Sequence, residues 1–319
     1  MANPSALKSP MSHAATLIPP ADAAKPPLFR YAMLSHTGRL RHSNQDACAA
    51  LPEHSAFVVC DGVGGAAGGE VASHLAAESF LHSLTHLPRS SRSHAEPTHP
   101  HARLHRAVLA ANHAVYARAH KTRSLRGMAT TLVAALLDDP GTGLAATSAG
   151  APHPYTGNGM RTDSKNADRT AESEQTLASP TLWLAHVGDS RCYRLRNGAL
   201  EQLTCDHSLV EEQIRAGIIG RIEAARSPVR NVITRAVGAA PSIEPEIASH
   251  VVQPGDLFLL ASDGLTRELD DETIAGIVCS AAAPARTAAS LEAAAHALID
   301  AANAHGGRDN ITVLLVAVC

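Results

Sequence analysis

Five aspartates in this 319-residue chain stand where short aliphatic runs begin or end, each beside a glycine or another small residue. They are Asp46, Asp61, Asp189, Asp263 and Asp309. Aspartate disfavours strands, and an unpaired carboxylate costs free energy when strand packing buries it. One such residue is most simply a turn residue. Five in this pattern predict strand ends that converge on a single acidic site.

The ligand type indicates what such a site does. Carboxylates without histidine or cysteine companions form an all-oxygen site, which suits Mg²⁺ or Mn²⁺ better than Zn²⁺. Two cations bridged by carboxylates lie about 3.5–4 Å apart, lower the pKa of a bound water and offset charge on a phosphoryl group. Such a pair of cations offers a physical route to phosphoester hydrolysis without a covalent intermediate.

The composition argues against several classes of protein. A net charge of −3 gives no basic stripe of the kind that nucleic-acid binders carry. No run reaches the roughly 18 apolar residues of a membrane span, and no secretory signal pattern is visible. Six scattered cysteines without a CxxC pair indicate buried thiols in a reducing compartment. We therefore expect a cytoplasmic, monomeric protein without a nucleic-acid or membrane partner.

Short apolar runs between turn residues predict strands, and apolar residues at helical spacing predict helices. The predicted strands are 31–36, 56–60, 129–137, 182–187, 191–195, 201–204, 245–252, 256–261 and 310–318. The predicted helices are 70–87, 101–121, 272–278 and 287–304. The pattern indicates an α+β layered fold with antiparallel hairpins, one of them around Pro254-Gly255.

Three segments lack a clear periodicity. Residues 1–28 are rich in Ala, Pro and Ser and are predicted to be a disordered tail. Residues 139–180 form a low-complexity stretch that is too long for an ordinary loop and is predicted to be a disordered insertion. Residues 207–229 have a mixed pattern, with no regular element predicted and mobility expected.

Seven short motifs occur in the order seen in metal-dependent Ser/Thr protein phosphatases, and the chain resembles the bacterial branch of this type 2C, or PPM, family. The resemblance covers about residues 31–318. The motifs are Gly38-x-x-Arg41-x-x-Asn44-Gln45-Asp46, Asp61-Gly62-Val63-Gly64-Gly65, Gly127-Met128-Ala129-Thr130-Thr131, Val187-Gly188-Asp189-Ser190-Arg191, Leu203-Thr204-x-Asp206-His207-Ser208, Ser262-Asp263-Gly264 and Gly307-Arg308-Asp309-Asn310.

The resemblance implies a PPM-type phosphatase domain over 29–319, built as an antiparallel β-sandwich with a pair of α-helices on each face. Residues 207–229 match the variable flap beside the family's active site. The implied activity is hydrolysis of phosphoserine and phosphothreonine on proteins by a water or hydroxide that bridges two Mn²⁺ or Mg²⁺ ions. A Ser/Thr protein kinase of the same cell is the implied opponent.

The resemblance also assigns metal ligands, and four aspartates form the implied catalytic set. Asp61 would bridge the two core ions, and the Gly62 carbonyl would bind the first. Asp263 and Asp309 would bind the second ion, and Asp46 would act through metal-bound water.

The same resemblance gives two further roles, and the chain departs from the family pattern in three places. Asp189, together with Asp263, would bind a third ion, and Arg41 would grip the substrate phosphate, where bidentate geometry favours arginine. Val63 stands where some members have a histidine that is proposed to protonate the leaving group. Ala129 replaces the more usual Gly or Ser, and the site is expected to tolerate the methyl group of alanine. The insertion is longer than the family's usual turn.

Other interpretations of the same residues are weaker. The run after Phe57 weakly resembles a dinucleotide-binding fingerprint but lacks the acidic residue expected about 20 positions later. The histidine pairs at helical spacing lack the glutamate of a zinc-protease motif and are most simply surface residues. His207 is expected to cap a turn or helix, and Arg191 and Arg235 to form structural ion pairs. A phosphate-accepting receiver domain would need a parallel β/α alternation that the chain lacks.

One alternative function stays open. A non-catalytic relative would bind a phosphoprotein or a regulator without hydrolysing it. Such a pseudophosphatase would be expected to have lost metal ligands, whereas Asp61, Asp263 and Asp309 are all present. The sequence therefore favours the enzyme.

Overall fold

A computed structural model describes residues 28–63, 68–85, 99–138, 179–282 and 286–319. Apart from residues at their edges, the predicted tail over 1–28 and the predicted insertion over 139–180 lie outside the described residues. The strands are β1 (Phe29–His36), β2 (Asp46–Leu51), β3 (Ala56–Val63), β4 (Ala129–Thr130), β5 (Leu132–Asp138), β6 (Thr181–Val187), β7 (Arg191–Arg196), β8 (Ala199–Gln202), β9 (Glu246–Val251), β10 (Leu257–Ala261) and β11 (Ile311–Val318). The helices are α1 (Gly68–Thr85), α2 (Pro100–Lys121), α3 (Leu209–Arg215), α4 (Arg221–Arg226), α5 (Asp263–Thr266), α6 (Asp271–Ala282) and α7 (Ala288–Ala304).

Two antiparallel sheets pack face to face. The first has the strand order β1-β11-β10-β7-β8, and the second has the order β2-β3-β5-β6-β9, with β4 paired to β3. Helices α1 and α2 cover the second sheet, and α6 and α7 cover the first. The predicted α+β sandwich with a helix pair on each outer face is confirmed.

Strand β11 shows why the sequence builds four layers, which are a helix pair, the two sheets and the second helix pair. All eight of its residues are buried. Side chains alternate between the two faces of a strand, so Ile311, Val313 and Leu315 pack toward α6 and α7. Leu314 and Val316 pack toward the second sheet. The sequence pattern indicated this buried strand, which is apolar except at Thr312, and the Thr312 hydroxyl is hydrogen-bonded.

One prediction about local structure is wrong, and two short helices were not predicted. The runs around Pro254-Gly255 do not form a hairpin, because β9 pairs with β6 in the second sheet while β10 pairs with β7 and β11 in the first. This turn instead crosses between the sheets. Residues 207–229, for which no regular element was predicted, contain the two short helices α3 and α4.

The described residues also bear on the predictions about cysteines and membranes. All six cysteines are free thiols, and Cys60 and Cys192 are buried while Cys319 is exposed. Within the part of the chain that the structure describes, no helix combines the length and the hydropathy that crossing a bilayer requires.

Candidate metal centre

The five aspartates lie at one end of the sandwich, where strand ends of both sheets meet. Asp46 and Asp61 are directly opposed across the β2–β3 pair. Asp189 follows β6, Asp263 opens α5 directly after β10, and Asp309 precedes β11. Asp61, Asp189, Asp263 and Asp309 line one cavity of about 310 Å³. The convergence that the sequence pattern predicted is therefore present in the structure.

Asp46 is buried and uses one of its carboxylate oxygens for the protein. Its Oδ2 accepts hydrogen bonds of 2.7 Å from the hydroxyls of Ser262 and Thr312. The other oxygen, Oδ1, is buried and has no hydrogen-bond partner among the described residues. A buried oxygen left in this way is costly unless a cation or donor approaches it.

Two threonines and a glycine fix the backbone around Asp61. The hydroxyl of Thr131 accepts from the Asp61 amide at 2.9 Å, and the hydroxyl of Thr130 donates to the Asp61 carbonyl at 2.8 Å. A Cβ added to Gly62 would lie 2.3 Å from the carbonyl oxygen of Gly69 and 2.5 Å from that of Gln45. Only glycine therefore fits between Asp61 and α1.

Asp263 and Asp189 face an arginine that the sequence analysis did not single out. Asp263 Oδ2 pairs with Arg267 Nη2, four residues further on. The same nitrogen lies 3.5 Å from Asp189 Oδ2. Asp263 Oδ1 is buried without a hydrogen-bond partner among the described residues. The signal that could have found Arg267 is its i+4 spacing from Asp263.

Asp309 sits at the rim of the site beside Arg41. Arg41 Nη2 donates to Asp309 Oδ2 at 2.8 Å, and about half of the Arg41 side chain is exposed. The Asp309 Oδ1 atom accepts from the Asn310 amide at 2.9 Å. The side chain of Asn310 in turn donates to the carbonyls of Thr37 and Ser43, so it fastens the loop that carries Arg41.

Burial, with repulsion between carboxylates as a smaller cause, raises the pKa of three of these aspartates. Burial raises the pKa of Asp46 to about 6. Burial, followed by repulsion from Asp189, raises the pKa of Asp263 to about 8. Burial and the neighbouring carboxylates also raise the pKa of Asp61 well above its usual value. A group of buried acids that resist ionisation together is stabilised by added positive charge.

These observations fit a site for hard divalent cations. Buried oxygens of Asp46 and Asp263 lack partners among the described residues, and the surrounding donors are all oxygens. Burial, with repulsion from neighbouring carboxylates as a smaller cause, raises the pKa of Asp46 and Asp263, so a bound cation would favour their ionised forms. Carboxylates and a backbone carbonyl are the ligands that Mg²⁺ and Mn²⁺ favour over Zn²⁺.

A larger groove of about 570 Å³ adjoins the acidic cavity. The flap, residues 207–229, forms one side of it through Val210, Ile214 and Arg221. At the base of the flap, Arg191 binds Asp206 with its Nε at 2.9 Å and Nη2 at 2.7 Å. The prediction of a structural ion pair for Arg191 is confirmed.

The sequence predicted that His207 caps a turn or helix, but His207 does not cap the flap helix α3. Ser208 caps α3 by accepting from the Glu211 amide at 3.3 Å. The His207 ring is buried and stacks on His186 with centroids 4.6 Å apart. Burial lowers its pKa to about 4, so the ring is neutral. Its Nδ1 accepts from the Gly188 amide and its Nε2 lies 3.4 Å from Glu246. This makes His207 a support for the backbone next to Asp189.

Comparison with known proteins places this geometry in context. Two family models, both described as protein phosphatase 2C, match residues 36–150 and 172–311. The Ser/Thr phosphatase stp of Listeria welshimeri is 30% identical over 282 residues, which are 88% of this chain and 92% of that protein.

Solved structures agree with these sequence matches. The Ser/Thr phosphatase PstP/Ppp of Mycobacterium tuberculosis superposes with a TM-score of 0.68 at 31% identity, covering 91% of this chain and 98% of that one. A catalytic domain of PstP in complex with two manganese ions superposes with a TM-score of 0.64 at 31% identity, with the same coverage.

Proposed function

Because this chain belongs to the protein phosphatase 2C family and is a Ser/Thr protein phosphatase, we propose that it hydrolyses phosphoserine and phosphothreonine with two divalent cations held by its aspartates. Dependence on a divalent metal follows from the family. Mn²⁺ or Mg²⁺ is the proposed ion, supported by the all-oxygen donors here and by the two manganese ions in the PstP complex.

The proposed ligands follow the family motifs. Asp61 would be shared by the two cations, with the Gly62 carbonyl on the first and Asp263 and Asp309 on the second. Asp46 would act through an intervening water. The observation that carries this proposal is the pair of buried carboxylate oxygens, on Asp46 and Asp263, that have no hydrogen-bond partner among the described residues.

The cations, when bound, would supply Lewis acidity that lowers the pKa of water and offsets charge on the phosphoryl group. The protein's own part is to hold the carboxylates rigidly and to orient the phosphate. Thr130 and Thr131 fix the backbone of Asp61, while Ser262 and Thr312 fix the carboxylate of Asp46. Such positioning lowers the reorganisation needed at the moment of reaction.

Arg41 is the proposed phosphate ligand. Its guanidinium is half-exposed at the mouth of the site and is held toward it by Asp309. A planar guanidinium can bind two phosphoryl oxygens at once. Val63 is 39% exposed beside Gly62 and carries no titratable proton, so we propose that solvent water protonates the leaving alkoxide.

We further propose that the phosphates removed are placed on proteins by a Ser/Thr kinase of the same cell. The support is the family resemblance alone. A protein phosphorylated by such a kinase should lose its phosphate on incubation with this enzyme and Mn²⁺, as followed by mass spectrometry. Retention of every phosphate while a phosphothreonine peptide is hydrolysed would contradict this assignment.

The activity is tested on a phosphothreonine peptide and a small aryl phosphate, with Mn²⁺ and with EDTA. We expect turnover with Mn²⁺ and none with EDTA. Folded protein that binds Mn²⁺ and phosphopeptide but releases no phosphate would instead indicate the non-catalytic alternative, and Val63 would be the first residue to examine.

A further inference from the structure

The guanidinium of Arg267 lies inside the acidic site rather than at its edge. Its Nη2 pairs with Asp263 Oδ2 and lies 3.5 Å from Asp189 Oδ2. Its Nη1 lies 3.9 Å from Asp309 Oδ2. One arginine therefore faces three of the five carboxylates. Since arginine stays protonated in proteins, it is a permanent positive charge at this position.

The backbone holds Arg267 in place. It follows the one-turn helix α5, which begins at Asp263, and its amide donates to the Asp263 carbonyl at 2.8 Å. The i+4 spacing puts its side chain on the same side of this turn as Asp263. About two thirds of the Arg267 side chain is buried. The surrounding protein therefore restricts its conformation.

The two oxygens of Asp263 have different surroundings. Oδ2 pairs with Arg267, whereas Oδ1 is buried without a hydrogen-bond partner among the described residues. Under the proposed function, Oδ1 is free for a core cation. The side of Asp263 that faces Asp189 already holds the guanidinium. Asp189 and Asp263 are the two carboxylates that the family resemblance assigns to a third cation.

We propose that Arg267 takes the place of this third cation, so that the enzyme binds two divalent ions and uses a resident guanidinium between Asp189 and Asp263. The inference rests on the proposed two-cation function. A guanidinium supplies one positive charge where a metal ion would supply two, and a chelator cannot remove it. The third position is then occupied at every metal concentration.

Electrostatics support exclusion of an ion from this position. A divalent cation bound by Asp189 and Asp263 would lie within a few ångströms of the guanidinium. Like charges at such a distance repel strongly in a partly buried site. Removing the guanidinium should both free the two carboxylates and abolish this repulsion.

The test counts bound Mn²⁺ by isothermal titration calorimetry and by electron paramagnetic resonance of free Mn²⁺. We expect two ions per wild-type chain. Arg267→Ala should bind a third ion. Its affinity for this ion should be at least roughly tenfold higher than that of any weak binding beyond two ions on the wild-type chain. Arg267→Gln, which keeps the length of the side chain without its charge, should do the same and serves if the alanine variant does not fold.

Two matched variants locate the new site. Arg308→Ala removes a charge from the same groove, but this arginine contacts Glu268 and none of the five aspartates within the described structure. It should still bind two ions. Adding Asp189→Asn to Arg267→Ala should abolish the third ion and leave the first two.

Each other outcome counts against a specific statement. Three ions on the wild-type chain, or two on the Arg267 variants, would overturn the proposal. A higher KM for phosphopeptide in Arg267→Ala with unchanged stoichiometry would also overturn it and make Arg267 a phosphate ligand. Wild-type protein that binds no Mn²⁺ would overturn the two-cation function itself.

Discussion

At the scale of the residue, Asp46 and Asp263 each commit one oxygen to the protein and leave the other without a hydrogen-bond partner among the described residues. This division lets a carboxylate be held rigidly and still have an oxygen available for a ligand. The positioning groups are ordinary hydroxyls and one guanidinium. Loss of a positioning group should therefore affect metal affinity as well as stability.

Thr312→Val tests this coupling. Thr312 is fully buried and donates to Asp46 at 2.7 Å. Valine has nearly the same shape but no hydroxyl, so the free energy of unfolding should fall by about 1–3 kcal/mol. Mn²⁺ affinity should fall as well, as measured by calorimetry beside chemical denaturation. Thr312→Ser keeps the hydroxyl and should retain most of the affinity; equal affinities in both variants would contradict the coupling.

Arg41→Ala separates binding of the phosphate from its conversion. The guanidinium is expected to contact the substrate in the ground state, so its removal should mainly raise KM for a phosphopeptide. Steady-state kinetics at saturating Mn²⁺ give both constants. Arg41→Lys keeps the charge without the bidentate geometry and should lie in between. A fixed KM with a reduced kcat would assign Arg41 to the transition state instead.

Residue-level reasoning from sequence found the acidic positions but not their partners. An aspartate after an aliphatic run can be recognised from the sequence, because the run predicts a strand and so places the aspartate at the end of that strand. The contacts of Asp46 with Ser262 and Thr312 join residues 216 and 266 positions apart. No local pattern encodes such a pairing. The contact between Arg267 and Asp189 was missed for the same reason, because these residues are also far apart in the sequence.

At the scale of the element, local signals predicted strands better than their partners. The turn at Pro254-Gly255 has the composition of a hairpin, yet its two strands belong to different sheets. Turn residues specify a reversal of the chain and not which sheet receives the next strand. Helix α3 had a usable signal that was not applied, since Ser208-x-x-Glu211 is a capping-box pattern.

The pairing of β5 with β6 gives a prediction about residues 142–178, which lie outside the described residues. Leu132 pairs with Val187 at the end near Thr131, and Asp138 pairs with Thr181 at the other end. The connecting segment therefore leaves the sheet at the end opposite the acidic site. Deleting 142–178 should leave kcat/KM for a phosphopeptide within a few-fold of the full chain. Abolished activity in a folded, Mn²⁺-binding deletion protein would contradict this placement.

At the scale of the whole molecule, the site depends on how the two sheets pack. Asp46, Asp61 and Asp189 belong to the second sheet or its ends, while Asp263 and Asp309 flank strands of the first. Five carboxylates at one end of a sandwich oppose its closure to the extent that they ionise without a cation. Metal binding should therefore stabilise the whole fold, and the extent should depend on pH.

The direction of that dependence follows from the raised pKa values. An aspartate with a higher pKa in the folded protein adds stability below its unfolded pKa and loses this contribution as pH rises through the folded pKa. For Asp46 and Asp263, with folded pKa values of about 6 and about 8, this loss spans the range from acidic to mildly alkaline pH. Mn²⁺ competes with these protons and replaces their effect at high pH.

The increase in melting temperature on adding Mn²⁺, relative to EDTA, should therefore be larger at pH 8 than at pH 5.5. Differential scanning fluorimetry at both pH values measures it, and the melting temperatures with EDTA alone control for the effect of pH on the protein. An increase that is equal at the two pH values, or larger at pH 5.5, would show that the carboxylates do not bind the metal.

The most direct test of the acidic metal centre compares Asp263→Asn with Asp300→Asn. The asparagine side chain would keep the shape of the aspartate but lose the charge that holds a core cation. Asp300 is exposed on α7 and is not among the described residues that line the acidic cavity or the adjoining groove. We predict that Asp263→Asn folds, binds Mn²⁺ far more weakly and loses turnover of a phosphothreonine peptide by orders of magnitude, while Asp300→Asn resembles wild type. Near-wild-type turnover of Asp263→Asn at limiting Mn²⁺ would contradict the account.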